Sequence, residues 1–239
     1  MNTEKESAFG FLRAMVFPDR CVFCDDAIEY RSIVCKDCRR AVETIDGKCC
    51  NACGLPVKEC DCKGKSTFYT AMTAVFRYEG VVRKGIHSWK YSDTFRNTEF
   101  YAMMIAEKVR NAFADVTFDY IVFVPQTREE TDEKGFNQSE ELACAVSEEL
   151  CVPVGNFLVK LYETDRQHSL PLHDKRGNTF GVFDCINTEN IRDKKILLID
   201  DVRTSGSTIN ECAKMLRLYD SGDVYCAVIA AAVPKKGEK

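Results

Sequence analysis

Apolar and polar residues alternate along the chain in blocks that predict strands and helices in turn. From about residue 67, the run TAVFRY has the pattern of a strand, and VVRKGIHSWKY that of a short helix. A longer helix is predicted from Thr94 to about Ala114. Its apolar residues on or near one face are Phe95, Phe100, Met103, Met104 and Ala106. DYIVFVPQ is then a short buried strand that Pro125 ends.

The second half of the chain continues this alternation. Asn137 is predicted to cap a helix that runs to about Leu150, since Glu140 stands three positions later as in a capping box. NFLVKLY and KKILLID are predicted strands, Ser207 to about Tyr219 is a predicted helix, and VYCAVIAAAV is a final strand. Strands that alternate with helices predict a parallel, right-handed α/β sheet. Ligands of such sheets bind beyond the carboxyl ends of the strands, where both IVFVPQ and ILLIDD end.

The region before this alternation has a different composition. Of the fourteen cysteines in the chain, nine lie between Cys21 and Cys62. A dense cluster of cysteines in a reducing compartment indicates metal ligands rather than disulfides. We therefore predict an N-terminal segment (1–20), a cysteine-rich module (21–66) and an α/β domain (67–239).

Composition narrows the class of protein. The net charge of −4 argues against a protein that coats nucleic acid generally, although a local basic face is compatible with it. No run of about 18 apolar residues is present, so we expect no membrane insertion. The N-terminal sequence MNTEKESAFGFLRAMVF lacks the features of a secretory signal, which predicts a cytoplasmic protein.

The clustered cysteines are spaced as pairs that suit zinc. A CxxC knuckle places two thiolates on one side of a tight turn, and two such knuckles complete a tetrahedral site. We expect two structural zinc sites of four cysteines each, paired in sequence order because each loop is short. The predicted ligands are Cys21, Cys24, Cys35 and Cys38 in the first site and Cys50, Cys53, Cys60 and Cys62 in the second.

Two alternatives to these ligand sets are open. Cys49 competes with Cys50, which we prefer because it gives the spacing CxxCG. The thiols could instead be redox-active. The other cysteines, which lie within apolar elements, are predicted to be small buried hydrophobic residues: Cys144, Cys151, Cys185, Cys212 and Cys226.

Two neighbouring aspartates, Asp200 and Asp201, stand at the end of the buried strand ILLIDD. Burying carboxylates is costly, and a capped helix after a strand does not explain two of them. The loop that follows has small and hydroxyl-bearing residues, namely Thr204, Ser205, Gly206, Ser207 and Thr208. A strand end, such a loop and a helix start together favour a phosphate. Two acids ahead of a phosphate loop suit a sugar phosphate, with the carboxylates facing the ring hydroxyls.

The run ILLIDDVRTSGST closely resembles the phosphoribosyl diphosphate (PRPP) signature of type I phosphoribosyltransferases. The resemblance implies a parallel-sheet phosphoribosyltransferase-like domain behind the cysteine-rich zinc-ribbon module. It also implies that Asp200 and Asp201 are the catalytic carboxylates and hold the 2′ and 3′ hydroxyls of the ribose, while residues 204–208 bind the 5′-phosphate.

Three further runs are similar to other blocks of the ComF family, in which a zinc-ribbon segment precedes such a domain. They are YEGVVRKGIHSWKY (78–91), KGFNQSEELA (134–143) and QHSLPLHDKRGNTFGVF (167–183). The resemblance implies that Lys90 and Arg176 also contact PRPP, which would bind with Mg²⁺; an ion pair is the structural alternative for Arg176. The family is associated with DNA uptake in natural competence, which implies single-stranded DNA and competence or DNA-processing proteins as partners.

The loop before KGFNQ departs from the family pattern, which usually carries several bases there. Residues 126–149 hold two bases and eight acids, a local charge of −6. Such a loop should repel a diphosphate or a DNA backbone unless Mg²⁺ or a partner intervenes. A solvated run of charges is the simpler interpretation. Arg203 also stands where phosphoribosyltransferases commonly have an apolar or aromatic residue, and could reach an anion or face solvent.

Three functions follow as hypotheses. The first is a PRPP-binding or nucleic-acid-associated accessory factor in DNA uptake or processing, without turnover. The second is an active phosphoribosyltransferase that transfers ribose 5-phosphate from PRPP to an unidentified nitrogen acceptor. The third is a purely structural interaction module. No purine, pyrimidine or orotate signature identifies the acceptor.

Overall fold

The computed structural model of the chain describes residues 19–62, 65–91, 95–126, 137–161 and 182–234. The helices are α1 (Lys36–Ala41), α2 (Gly80–Trp89), α3 (Phe95–Ala112), α4 (Gln138–Leu150) and α5 (Ser207–Leu218). The strands are β1 (Ala71–Arg77), β2 (Tyr120–Phe123), β3 (Leu158–Lys160), β4 (Phe183–Cys185), β5 (Ile196–Arg203) and β6 (Val224–Ala231). A short 3₁₀ helix covers Thr188–Asn190.

A parallel sheet of four strands forms the centre of the molecule, in the order β1-β6-β5-β2. Its strands are almost continuously apolar because helices and loops cover both faces. On one face, Leu197 and Ile199 of β5 join a core with α2, α3 and α4. On the other face, Ile196 and Leu198 join a core with α5, β3 and β4. The predicted α/β class with a parallel sheet is thus confirmed.

The strand predicted in NFLVKLY forms, but it does not extend the parallel sheet. Leu158–Lys160 pairs antiparallel with Phe183–Cys185 in a separate two-stranded sheet. Leu158 and Phe183 bury their side chains against the α5 face of the main sheet. The apolar run in the sequence shows that this segment is buried, but it does not specify which partner strand it takes.

The face predicted for the long helix is partly wrong. The apolar residues that α3 buries most completely are Tyr101, Ala102, Ile105, Ala106 and Val109, and they follow a helical repeat. Met103, predicted to lie on or near the apolar face, is 42% exposed. The prediction grouped apolar residues by type, whereas the i, i+3, i+4 spacing places Met103 outside the stripe that contacts the sheet.

The prediction for the five later cysteines is also partly wrong. Cys185, Cys212 and Cys226 are buried as expected, but Cys144 and Cys151 are exposed. Cys151 follows the last residue of α4 and has a positive φ of 54°, so it lies at a turn rather than in the core.

The cysteine-rich module contacts the outer edge of β1. The N–H of Ile45 donates to the carbonyl of Val75 at 2.8 Å, and the N–H of Met72 donates to the carbonyl of Asn51 at 2.9 Å. These bonds pair backbone groups on a sheet edge that would otherwise be open to other strands. The module therefore completes the edge of the α/β domain.

A second contact joins the module to α2. Gly85 lies so close to the first cysteine knuckle that a Cβ built there would be 2.8 Å from both the Cα of Phe23 and the carbonyl oxygen of Val22. The ring of Phe23 meets that of Phe76 edge to face, with centroids 5.8 Å apart.

In the described part of the chain, no helix combines the length and the apolar character that crossing a membrane requires.

Candidate functional site

The two aspartates lie within β5 near its carboxyl end, where the strand still pairs with β6. Asp200 is half-buried, and its Oδ1 accepts bonds from the hydroxyl of Ser139 at 3.3 Å and from the N–H of Asp201 at 2.9 Å. Burial, and then the charge of Asp201, raise the pKa of Asp200 from 3.8 to about 7. The surroundings of Asp200 therefore favour its neutral form, and its Oδ1 takes both of these bonds.

Lys90 brings a positive charge to this pair. It follows the last residue of α2, and its Nζ forms an ion pair with Asp201, whose side chain is 13% exposed. Burial opposes the charge of Lys90, but the Asp201 carboxylate outweighs it and raises the pKa of the ammonium. The sequence predicted that Lys90 belongs to the site, and the structure places its ammonium on one of the two carboxylates.

Two amides hold the backbone of Lys90 in place. The Nε2 of Gln138, in the first turn of α4, donates to the carbonyl of Lys90 at 2.8 Å. The Nε2 of Gln126, just beyond β2, donates to the Oε1 of Gln138 at 3.0 Å. The end of β2, the start of α4 and the end of α2 are therefore linked beside the aspartates.

The start of α4 is fixed by the predicted cap. The side-chain oxygen of Asn137 accepts bonds from the N–H groups of Ser139 at 3.0 Å and of Glu140 at 3.4 Å. This cap sets the direction of the first turn, from which Ser139 reaches Asp200 and Gln138 reaches Lys90. The sequence identified the cap but gave no signal for the contacts of Ser139, Gln126 and Gln138, because they join parts distant in the chain.

The loop after β5 has the shape that an anion site requires. Gly206 has a φ of +81°, in the left-handed region, and immediately precedes the first residue of α5. The hydroxyls of Ser205 and Ser207 lie 2.8 Å apart, and the N–H of Ser207 donates to the Oγ of Ser205 at 3.3 Å. Thr204, Ser205, Ser207 and Thr208 are exposed, so the loop presents hydroxyls at the positive end of a helix.

Arg203 lies over this loop. A Cβ built on Gly206 would be 3.1 Å from the Nε of Arg203, and the Nη2 donates to the carbonyl of Ser205 at 3.3 Å. The Nε is buried and has no acceptor among the described residues. A cavity of about 510 Å³ borders Arg203, the loop and Cys62 of the second cysteine group. The sequence left open whether Arg203 reaches an anion or faces solvent. The structure shows its guanidinium packed on the loop that is proposed to bind the phosphate.

Several predicted residues lie outside the described residues. They include Arg176, predicted to contact PRPP, Lys134 of the block KGFNQ, and the whole acidic run from Arg128 to Glu133. Their contribution to the site stays a prediction.

The eight predicted zinc ligands form two groups. Within each group the four sulfur atoms lie within 4.8 Å of one another, and the groups are Cys21, Cys24, Cys35 and Cys38, and Cys50, Cys53, Cys60 and Cys62. A tetrahedral zinc with Zn–S bonds of about 2.3 Å requires sulfur atoms about 3.8 Å apart. The Sγ atoms of Cys24 and Cys35 are 3.7 Å apart, which fits. The structure thus groups the cysteines in sequence order, with Cys50 rather than Cys49.

Backbone N–H groups around the sulfur atoms favour thiolates. The N–H of Cys35 donates to the sulfur of Cys21, and the N–H of Cys62 donates to that of Cys60, each at 3.3 Å. The second bond lowers the pKa of the Cys60 thiol below its usual value of 9.0. Four protein ligands leave no open position, so zinc in these sites supports folding rather than chemistry.

Comparison with known proteins matches both parts of the chain. Residues 12–67 match the double zinc ribbon domain, and residues 137–239 match the phosphoribosyl transferase domain. Competence protein F of Haemophilus influenzae is 24% identical over 84% of this chain and 92% of its own length. Competence protein ComFC of Streptococcus pneumoniae is 26% identical, over 81% and 85%. DNA utilization protein YhgH of Escherichia coli O157:H7 is 27% identical, over 77% and 83%.

Among solved structures, a glutamine phosphoribosylpyrophosphate amidotransferase from B. subtilis aligns with 67% of this chain and 29% of its own, at 15% identity and a TM-score of 0.42. The domain matches and the curated relatives agree with the two cysteine groups and the parallel sheet described above. The order of the two matched domains, a double zinc ribbon in front of a phosphoribosyltransferase-type domain, and the relatives that align with most of the chain support the ComF family of competence-related proteins.

Proposed function

We propose that the chain binds PRPP or a related ribose phosphate and acts as an accessory factor in DNA uptake or processing. In this proposal Asp200 and Asp201 accept hydrogen bonds from the ribose hydroxyls, and residues 204–208 bind the 5′-phosphate. The observation that carries it is the placement of a half-buried carboxylate pair directly ahead of a helix-start loop with a left-handed glycine. The relatives' names, competence protein and DNA utilization protein, support the biological setting.

A bound ribose would compete with Lys90 for the Asp201 carboxylate. Asp201 is paired with Lys90, so a ribose hydroxyl has to share or displace that ammonium. A released Lys90 would stand beside the sugar carbon that carries the diphosphate, where a cation is favoured. The Mg²⁺ that accompanies PRPP would supply further positive charge on the diphosphate. The Gln126–Gln138 link keeps the Lys90 backbone fixed while its side chain moves.

Calorimetry with PRPP and Mg²⁺ tests the binding. The wild type should bind, and the double variant Asp200→Asn plus Asp201→Asn should bind at least tenfold more weakly, because amides replace both acceptors of the hydroxyl bonds. Lys195→Gln is a control for an amide substitution on the same strand, since Lys195 immediately precedes the first residue of β5, remote from its carboxyl end. Equal binding by the double variant would remove the assigned ribose role.

Turnover is the second candidate function. The observation that favours it is the cation of Lys90 beside the two carboxylates, since leaving diphosphate carries negative charge. Release of diphosphate in the presence of a panel of nucleobases separates the two candidates. Release with any base identifies a phosphoribosyltransferase, whereas binding of PRPP without release supports the accessory role.

The DNA part of the proposal needs its own test. A band shift with single-stranded DNA at two salt concentrations should show retardation at low salt that weakens as salt rises. No retardation at low salt would contradict a direct contact with DNA. The ribose-phosphate assignment does not depend on this result, because calorimetry tests it separately.

A further inference from the structure

A groove of about 520 Å³ runs between α3 and α4. We call it the α3–α4 groove, and the proposed ribose-phosphate residues do not line it. Its apolar lining includes Phe100, Met103 and Ala145. Met103 is 42% exposed, which leaves apolar surface in contact with water at the position where the sequence suggested a buried residue. An apolar groove between two helices has the geometry that holds an amphipathic helix.

The rim of the groove is strongly acidic. Its carboxylates are Glu99, Glu140, Glu141, Glu148 and Glu149. Among the described residues that line it, Arg96 is the one base, and its guanidinium is already bonded to Asp19 at 3.0 Å and to the carbonyl of Ser32. Glu149 lies 3.7 Å from Arg110, so five carboxylates at the groove stand against these two arginines. The charge that an occupant meets is therefore negative.

This charge decides the chemistry of the occupant. A nucleic-acid backbone would be repelled from five carboxylates, whereas lysines and arginines would be attracted to them. The acids of α4 belong to the run 126–149, whose local charge of −6 the ribose-phosphate site leaves unexplained. We propose that the α3–α4 groove binds a basic amphipathic helix of a partner protein. Apolar side chains of that helix pack on Phe100 and Met103, and its bases pair with the glutamates.

The test uses the full zinc-loaded chain and a labelled helical peptide of about 18 residues, the length of α3. The peptide has leucines at i, i+3, i+4 and i+7 and lysines elsewhere, so it has one apolar and one basic face. Fluorescence anisotropy should show binding that weakens with salt. Met103→Glu and Glu148→Lys should each weaken it about tenfold. Both side chains are exposed, and a lysine near the end of α4 suits the helix dipole, so the fold should persist.

Two variants serve as matched controls. Glu107→Lys makes the same charge change on α3, but Glu107 borders a different cavity. Leu218→Glu makes the same kind of polar change at an exposed apolar residue of α5. Both should leave the affinity within about twofold, and all four variants should bind PRPP as the wild type does, so the groove and the ribose-phosphate site are tested separately.

Several results would overturn the proposal. They are equal binding of a peptide with glutamates in place of lysines, equal losses in the controls, or no loss in either groove variant. A peptide of residues 1–18 of this chain that competes for the groove would identify the chain's own N-terminus as the occupant. A dimer in sedimentation that Met103→Glu abolishes would identify a second copy. Weaker binding of the basic peptide by the two groove variants, with unchanged binding by the two controls, supports the proposal.

Discussion

The two neighbouring aspartates should respond in opposite directions when their charge is removed. Asp200 is half-buried, and its pKa of about 7 means that the folded protein resists ionising it. Asp201 instead pairs with Lys90, whose side chain is 33% exposed. Asp200→Asn removes a charge that folding disfavours, whereas Asp201→Asn removes the partner of a largely buried ammonium.

The magnitude for Asp200 follows from proton linkage. The carboxyl ionises near pH 4 in the unfolded chain and near pH 7 in the folded one, so the folded protein holds an extra proton between these values. Its contribution to stability is complete below about pH 4 and is lost as the pH rises through 7. At about 1.36 kcal/mol for each pKa unit, the change from 3.8 to about 7 sets an upper limit of about 4 kcal/mol. Asparagine is neutral throughout, so Asp200→Asn should gain stability over the wild type, towards that limit, between about pH 4 and pH 8.

Urea unfolding in zinc-containing buffer at about pH 5.5 and pH 8 measures this difference. Trp89 is the single tryptophan and is buried beside Lys90, so its fluorescence reports on this region. Asp200→Asn should be more stable than the wild type at both pH values, and the difference in the free energy of unfolding should be larger at pH 8 than at pH 5.5. Asp201→Asn should be less stable by about 1–2 kcal/mol at pH 8. The same pH dependence of stability in Asp200→Asn and the wild type would contradict these roles of the two aspartates, as would a change of stability in the same direction in both variants.

Three further substitutions test other parts of the structure. Cys50→Ser should lower zinc from two equivalents per chain to about one, whereas Cys49→Ser should leave two, measured by mass spectrometry; equal losses would contradict the grouping. Gly85→Ala should lower the free energy of unfolding by about 1–3 kcal/mol, since its Cβ would lie 2.8 Å from the backbone of Phe23; urea unfolding at wild-type stability would refute this contact. Gly206→Ala should cost about 1 kcal/mol and weaken PRPP binding in calorimetry, because φ is +81°; unchanged binding would show that the loop conformation is not needed.

Local patterns in the sequence predicted the features that depend on neighbouring residues. The strands ILLID and VYCAVIAAAV, the Asn137 cap and the grouping of the cysteines all follow from short-range spacing, and the structure shows each of them. The same spacing could not show that α3 leaves Met103 exposed, because that depends on how the helix is rotated against the sheet.

The side-chain contacts within the candidate site could not be predicted from the sequence, because they join residues that are distant in the chain. Ser139 meets Asp200 across 61 residues of chain, and Gln138 meets Lys90 across 48. Such pairs follow from the order of the strands in the sheet, which a single sequence specifies only weakly. The antiparallel pairing of β3 with β4 was missed for the same reason.

Calorimetric titration of the zinc-loaded chain with PRPP and Mg²⁺ shows whether the carboxyl end of β5 binds a ribose phosphate. We expect one saturable site in the wild type, and at least tenfold weaker binding in the folded Asp200→Asn plus Asp201→Asn variant. No heat of binding in the wild type, or equal affinity in the two proteins, would contradict a ribose-phosphate site at the carboxyl end of β5.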